Sequence, residues 1–147
     1  MSTVKALRFP AAIEWRGGRL THATAPGKHA LDVATPPEFK GGLPGVWSPE
    51  DLLVAATASC FAVTLAAVAE HSGVELTALR VDGLGHVERG ADGRFGFTVI
   101  ELGVEVEAKA EWSLVERLVA KAERNCLVTL ALDVPVHLRL ARTAAAA

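Results

Sequence analysis

A chain of 147 residues is long enough to bury one ordinary core and short for two, so it reads as a single domain. The formal charge of -2 and the scattering of 15 Lys and Arg residues leave no basic stripe, which argues against nucleic acid or a membrane surface as partner and favours a small molecule. Half the residues are apolar and the mean hydropathy is +0.29, an excess that points to surface buried against a second copy of the chain.

Residues 1–10 contain no basic leader followed by an apolar run and a cleavage site, so a cytoplasmic protein is expected. The first 47 residues then read as short strands and a loop. Within Trp15-Arg16-Gly17-Gly18-Arg19-Leu20 the Gly-Gly pair predicts a two-residue hairpin turn that sets Arg16 opposite Arg19. His29, Leu31 and Val33 alternate with Ala30, Asp32 and Ala34, and the stretch 35–47, with three prolines and three glycines, is a loop. Ser48-Pro49-Glu50-Asp51 is a helix start: Ser as N-cap, Pro at the first helical position, acids in the first turn and Asp in the capping-box place. The helix is expected to run to His71-Ser72-Gly73, about 36 Å at the helical rise. Leu52 to Ala69 carries no charge over 18 residues, the length of a membrane span. Its many alanines, its Thr57, Ser59 and Thr64, and the strand patterns downstream favour a buried central helix instead.

Downstream, Leu79, Val81 and Val87 alternate with polar residues, and Asp92-Gly93 turns the chain into Phe95, Phe97 and Val99. The apolar phase then slips by one to Ile100, Leu102, Val104 and Val106, which predicts a bulge. Ser113 with Glu116 reads as a second capping box. Val115, Leu118, Val119, Ala122 and Cys126 share one helical face, so Cys126 points inward at or just past that helix's end. Val134, Val136, Leu138 and Leu140 form a closing strand, and residues 142–147 read as a frayed tail. There is no internal repeat or linker. The pattern is one α+β domain over 1–147, with N-terminal strands and loop in 1–47 and a helix-strand-helix-strand core in 48–147.

Two cysteines, Cys60 and Cys126, lie 66 positions apart. In a reducing compartment they are expected to be redox-active rather than a permanent staple. Cys60 sits mid-helix, far from the N-terminal dipole, and burial alone would make it inert, so a reactive Cys60 requires a cation brought by tertiary structure. Arg16 and Arg19 are the candidates. Their like-charge pairing is easier to explain if one guanidinium holds an anion, such as a thiolate or Glu50. On pattern alone, Cys60 reads as a small core hydrophobe, the two arginines as solvated, and Glu50 and Asp51 as complements to the helix dipole. No metal or cofactor is expected: Cys-x-x-Cys and His-x-x-x-His are absent, and His22, His29, His71, His86 and His137 are dispersed. His71 lies about 16 Å from Cys60 along the helix, too far for a nucleophile pair. His86 and His137 fall on the polar phase of their strands and read as exposed. Gly83 and Gly85 lack the following helix of a phosphate loop.

The run Ser48-Pro49-Glu50-Asp51-Leu52-Leu53-Val54-Ala55-Ala56-Thr57-Ala58-Ser59-Cys60-Phe61 resembles the signature of the osmotically induced protein (OsmC) and organic hydroperoxide resistance protein (Ohr) family. In that signature Pro-Glu opens the helix and Ala-Cys or Ser-Cys follows ten residues on. Ala122-Glu123-Arg124-Asn125-Cys126-Leu127-Val128-Thr129 is similar to the family's second cysteine near a helix end. The resemblance implies an OsmC-like fold, with antiparallel sheets packed on long central helices in an intertwined homodimer and active sites near the dimer interface. It implies Cys60 as peroxidatic thiol, Cys126 as resolving thiol, and Glu50 and an arginine as assistants. Arg16 sits where the Ohr-type arginine would fall, with Arg19 in reserve. The OsmC-type arginine is missing from Pro36-Pro37-Glu38-Phe39-Lys40-Gly41, and Leu127 stands where a proline is often found. The activity implied is reduction of an organic hydroperoxide through a Cys60 sulfenic acid and a Cys60–Cys126 disulfide, reopened by a lipoyl-type or small dithiol reductant. Apolar walls from Phe61 and nearby aliphatic residues would favour organic hydroperoxides over hydrogen peroxide. The alternatives are an OsmC-like dimer that binds a small ligand with its thiols as spectators, and a structural dimer whose cysteines pack in the core.

Overall fold

Alternating residues of the first third pair into a three-stranded antiparallel sheet of β1 (Ala12–Gly17), β2 (Leu20–Thr24) and β3 (Leu31–Ala34). The computed structural model describes residues 5–143, and the chain divides into two compact units at Leu52/Leu53. In the first unit the hairpin differs from the expected one. Trp15 pairs with Thr21 and Gly17 with Leu20, which leaves Gly18 and Arg19 as the turn and Arg16 as a bulged residue with no cross-strand partner. Both glycines take positive φ, +103° at Gly17 and +54° at Gly18, so the turn can slide by one residue at no steric cost. Arg16 and Arg19 are therefore not opposed, and the like-charge argument for an anion between them falls away. The loop after β3 is tied back by Ala34 N donating to Trp47 O (2.8 Å) and Leu43 N to Thr35 O (2.9 Å).

The capping box forms as read. Asp51 N donates to Ser48 Oγ at 3.0 Å and Ser48 N to Asp51 Oδ2 at 2.9 Å, and α1 runs Pro49–His71. Gly73, at φ +68°, follows its end.

The second unit is built on a sheet of order β4-β5-β6, with β4 (Leu76–Arg89) antiparallel to β5 (Phe95–Ala108) and β6 (Val136–Arg142) parallel to β5. The phase slip is a bulge at Thr98: His86 pairs with Val99 and Val87 with Phe97, so Thr98 is passed over. Beyond it Ile100, Leu102, Val104 and Val106 all face the core. They pack with Phe61, Leu65 and Ala69 of α1 and with Val115, Leu118, Val119 and Ala122 of α2 (Trp112–Asn125). The second helix starts earlier than expected. Glu111 is its N-cap without a side-chain cap bond, so Ser113 lies inside the first turn and the Ser113–Glu116 capping box does not form. A short helix α3 (Leu127–Leu130), not anticipated from sequence, follows at once. Arg142 belongs to β6, its guanidinium 4.7 Å from the centre of the Trp112 ring, so it is not part of a frayed tail as expected; residues 144–147 lie outside the described ones.

Helix α1 is apolar nearly all round and long enough to cross a membrane by length and composition. It buries one stripe, Thr57, Phe61, Leu65 and Ala69. Only 22% of its most apolar 18-residue window is buried within the chain, and Val63 on another side is 66% exposed. The expectation of a buried central helix holds for that stripe only.

Candidate functional site

Cys60 precedes Phe61 of the buried stripe and is half-buried on α1. Thr64 is four residues on, on the same helical side. Cys126 reaches this point from the other end of the unit. The apolar face of α2 carries it inward, and its backbone, at φ -73° and ψ 101°, leaves the helical region, so Cys126 is both the C-cap of α2 and the N-cap of α3. It is fully buried, with 0% exposure. Leu130 N returns to Cys126 O at 3.0 Å, which closes the first turn of α3 and leaves the amides of Leu127 and Val128 without acceptors inside that turn.

Those amides turn to Cys60. Burial pushes the Cys60 thiol up, but hydrogen bonds from the Val128 amide, the Cys126 thiol, the Thr64 hydroxyl and the Leu127 amide together hold it below its ordinary value. The cation that the sequence reading requires for a reactive Cys60 is not among these four neutral donors. Neither sulfur is in a disulfide. Thr129 Oγ1 lies 3.1 Å from Cys126 Sγ and donates to it. The arrangement is a thiol whose ionisation its neighbours ease, with a second thiol within hydrogen-bonding reach.

The structure therefore brings together the two cysteines of the sequence reading. Arg16, in the other unit, lies 3.6 Å from Glu14 Oε2 in an exposed ion pair rather than on Glu50. Arg19 is an exposed turn residue whose carbonyl accepts from Thr35 N at 3.3 Å. Glu50 is half-buried, and its Oε2 is buried without a hydrogen-bond partner among the described residues. Phe61 is 1% exposed inside the core, so it does not wall an open substrate site as expected. His86, read as exposed, is half-buried and meets Glu101 Oε2 at 2.9 Å, whereas His137 is exposed. Sequence reasoning missed Thr64, Thr129 and the amides of 127 and 128. The first two were detectable as hydroxyls four residues after one cysteine and three after the other. The amides carry no sequence signal beyond Leu127 standing where proline would have removed an N–H.

Residues 42–141 match the family model described as OsmC-like protein. The chain is 31% identical over 138 residues to the uncharacterized protein YmaD of Bacillus subtilis (strain 168), covering 90% of this chain and 91% of that one. Its fold is that of an OsmC-like protein of unknown function from Vibrio cholerae O1 biovar eltor, with a TM-score of 0.85 at 16% identity, covering 92% of this chain and 100% of that one. It is also similar to an organic hydroperoxide resistance protein OsmC from Legionella pneumophila, with a TM-score of 0.77, 27% identity, and coverage of 95% and 100%.

Proposed function

From the premise that the chain belongs to the OsmC-like family, we propose that it is a thiol-dependent peroxidase that reduces organic hydroperoxides to alcohols. The observation that carries this reading is the pair of free thiols, Cys60 half-buried on α1 and Cys126 buried at the start of α3, with the Cys60 thiol held below its ordinary value by donors that include Cys126. The thiolate attacks the distal peroxide oxygen, the O–O bond breaks, and the leaving alkoxide takes a proton from solvent. Cys60 is left as a sulfenic acid. Cys126 then attacks that sulfur, a disulfide forms, and the hydroxyl departs with the Cys126 proton as water, which guards Cys60 against further oxidation. A dithiol of the lipoyl type or a small dithiol reopens the disulfide by exchange.

Glu50 and an arginine belong to the same proposal. A buried carboxylate oxygen without a donor is costly, and a guanidinium satisfies it best. Arg16, with Arg19 in reserve, is the guanidinium we assign to Glu50 and Cys60. The apolar sides of α1 left open by the single chain support a homodimer, and the two free thiols fit a reducing, cytoplasmic setting. Likeness to the organic hydroperoxide resistance protein of Legionella pneumophila supports the substrate class.

A second reading has one observation in its favour: a groove of about 490 Å³ in the second unit, lined by Val63, Thr64, Ala67, Val68, His71, Lys121 and Asn125. It suits a small apolar ligand held by a dimer whose thiols are spectators. The deciding experiment is consumption of cumene hydroperoxide with a dithiol reductant by wild type, Cys60→Ser and Cys126→Ser. Turnover lost in the first variant, with overoxidation of Cys60 in the second, establishes the peroxidase. No turnover above background with any dithiol gives the case to ligand binding.

A further inference from the structure

The mechanism above leaves the Thr129 hydroxyl unused, although it donates to the sulfur of the resolving thiol across 3.1 Å. Cys126 is fully buried, so bulk water cannot supply that sulfur with a donor. The contact follows from local geometry. Cys126 caps α3 and Thr129 is the third residue into it, the spacing at which a side chain reaches back over the cap. Here the side chain of the N-cap residue makes no cap hydrogen bond of its own, and the Thr129 hydroxyl returns to its sulfur.

We propose that Thr129 is a positioning residue for disulfide closure: its O–H occupies one side of Cys126 Sγ, turns the Cys126 S–H toward Cys60, and supports the negative charge left on Cys126 as its proton departs. The inference rests on the thiol-peroxidase reading and assigns the control of its second chemical step. In that step the Cys126 sulfur bonds to the sulfenic sulfur, the Cys60 S–O bond breaks, and the hydroxyl leaves with the Cys126 proton as water. The sulfenic sulfur is reduced and Cys126 oxidised until both stand at the disulfide level: an electron pair of Cys126 is shared in the new S–S bond, and the S–O pair leaves with the hydroxyl. Thr129 keeps its own proton throughout. Without its hydroxyl, closure slows, and the sulfenic acid is left open to a second peroxide molecule that converts it to sulfinic acid.

The test compares wild type, Thr129→Val, which keeps the shape and loses the hydroxyl, and Thr129→Ser, which keeps the hydroxyl. Thr129→Ala is a second hydroxyl-free variant should valine impair folding. Each reduced protein receives cumene hydroperoxide without reductant, is quenched over time, and is analysed by mass spectrometry for sulfenic, disulfide and sulfinic forms. The expected result is closure about fivefold to tenfold slower in the hydroxyl-free variants, the loss of one hydrogen bond, with Cys60 sulfinic acid rising and the rate of initial Cys60 oxidation within about threefold of wild type. Serine restores closure. Equal closure rates in wild type and Thr129→Val, or serine as slow as valine, overturn the role of the hydroxyl while leaving the peroxidase reading intact. A wild-type chain whose Cys60 is never oxidised overturns both.

Discussion

Replacing Leu127 with proline removes one amide N–H from the Cys60 sulfur and leaves the backbone path intact. Leu127 is the first residue of α3, the helical position proline tolerates best. Cys126 before it is already extended, at φ -73° and ψ 101°, as a residue preceding proline must be. The Leu127 side chain is 72% exposed, so little packing is lost with it. What changes is one donor to a thiolate. A hydrogen bond to a charged group is worth about 1.5–3 kcal/mol, and sharing one half-exposed sulfur among four donors brings the expected loss to about 1 kcal/mol, roughly fivefold in thiolate population. Losing a donor to the anion raises the thiol's ionisation range. The rate of Cys60 alkylation by iodoacetamide, followed by peptide mass against pH, should therefore fall about fivefold on the acid side of the profile and converge with wild type where both thiols are ionised. Circular dichroism checks that the fold is retained. A folded Leu127→Pro protein whose profile is unmoved, or moved to lower pH, would refute the claim that this amide supports the Cys60 thiolate.

Three other perturbations probe the framework. Phe61→Ala opens a cavity among Leu65, Ile100 and their neighbours and should cost about 3–5 kcal/mol, read from the urea midpoint at constant slope. Ser48→Ala removes one half of the capping box and should cost about 1 kcal/mol in the same assay; a loss of less than a few tenths would deny the cap its role. The third concerns pH. The Cys60 thiol is lowered in the folded chain, so between its folded value and the ordinary thiol value of 9.0 the unfolded state binds more protons. Its contribution to stability is present above the unfolded value and is lost as pH falls through the folded one. Under reducing conditions, the stability of wild type minus that of Cys60→Ser should rise with pH across this window, and a flat or falling difference would contradict the direction assigned to Cys60.

The features legible in the sequence are those governed by neighbours a few positions apart. Ser48 and Asp51 close a capping box because both partners lie within one turn, and the bulge at Thr98 is visible because a one-residue slip moves every later apolar side chain to the other face. The inward aim of Cys126 follows from the same face of α2 that buries Val115, Leu118 and Ala122. Local patterns failed where two local solutions were nearly equal. Gly17 and Gly18 permit either register of the hairpin, and the choice that bulges Arg16 came from the pairing of whole strands. The start of α2 at Trp112 rather than beyond Ser113, and the parallel placement of β6 beside β5, were likewise decided by packing across the unit. The chemistry of Cys60 belongs wholly to this second class. Its own helix offers it Thr64, but the other three donors come from residues 126–128, more than 60 positions away, and only a folded core holds an extended Cys126 and the first turn of α3 against the middle of α1. Short-range preferences choose the elements, whereas the ionisation of a thiol depends on which dipoles the completed packing points at it.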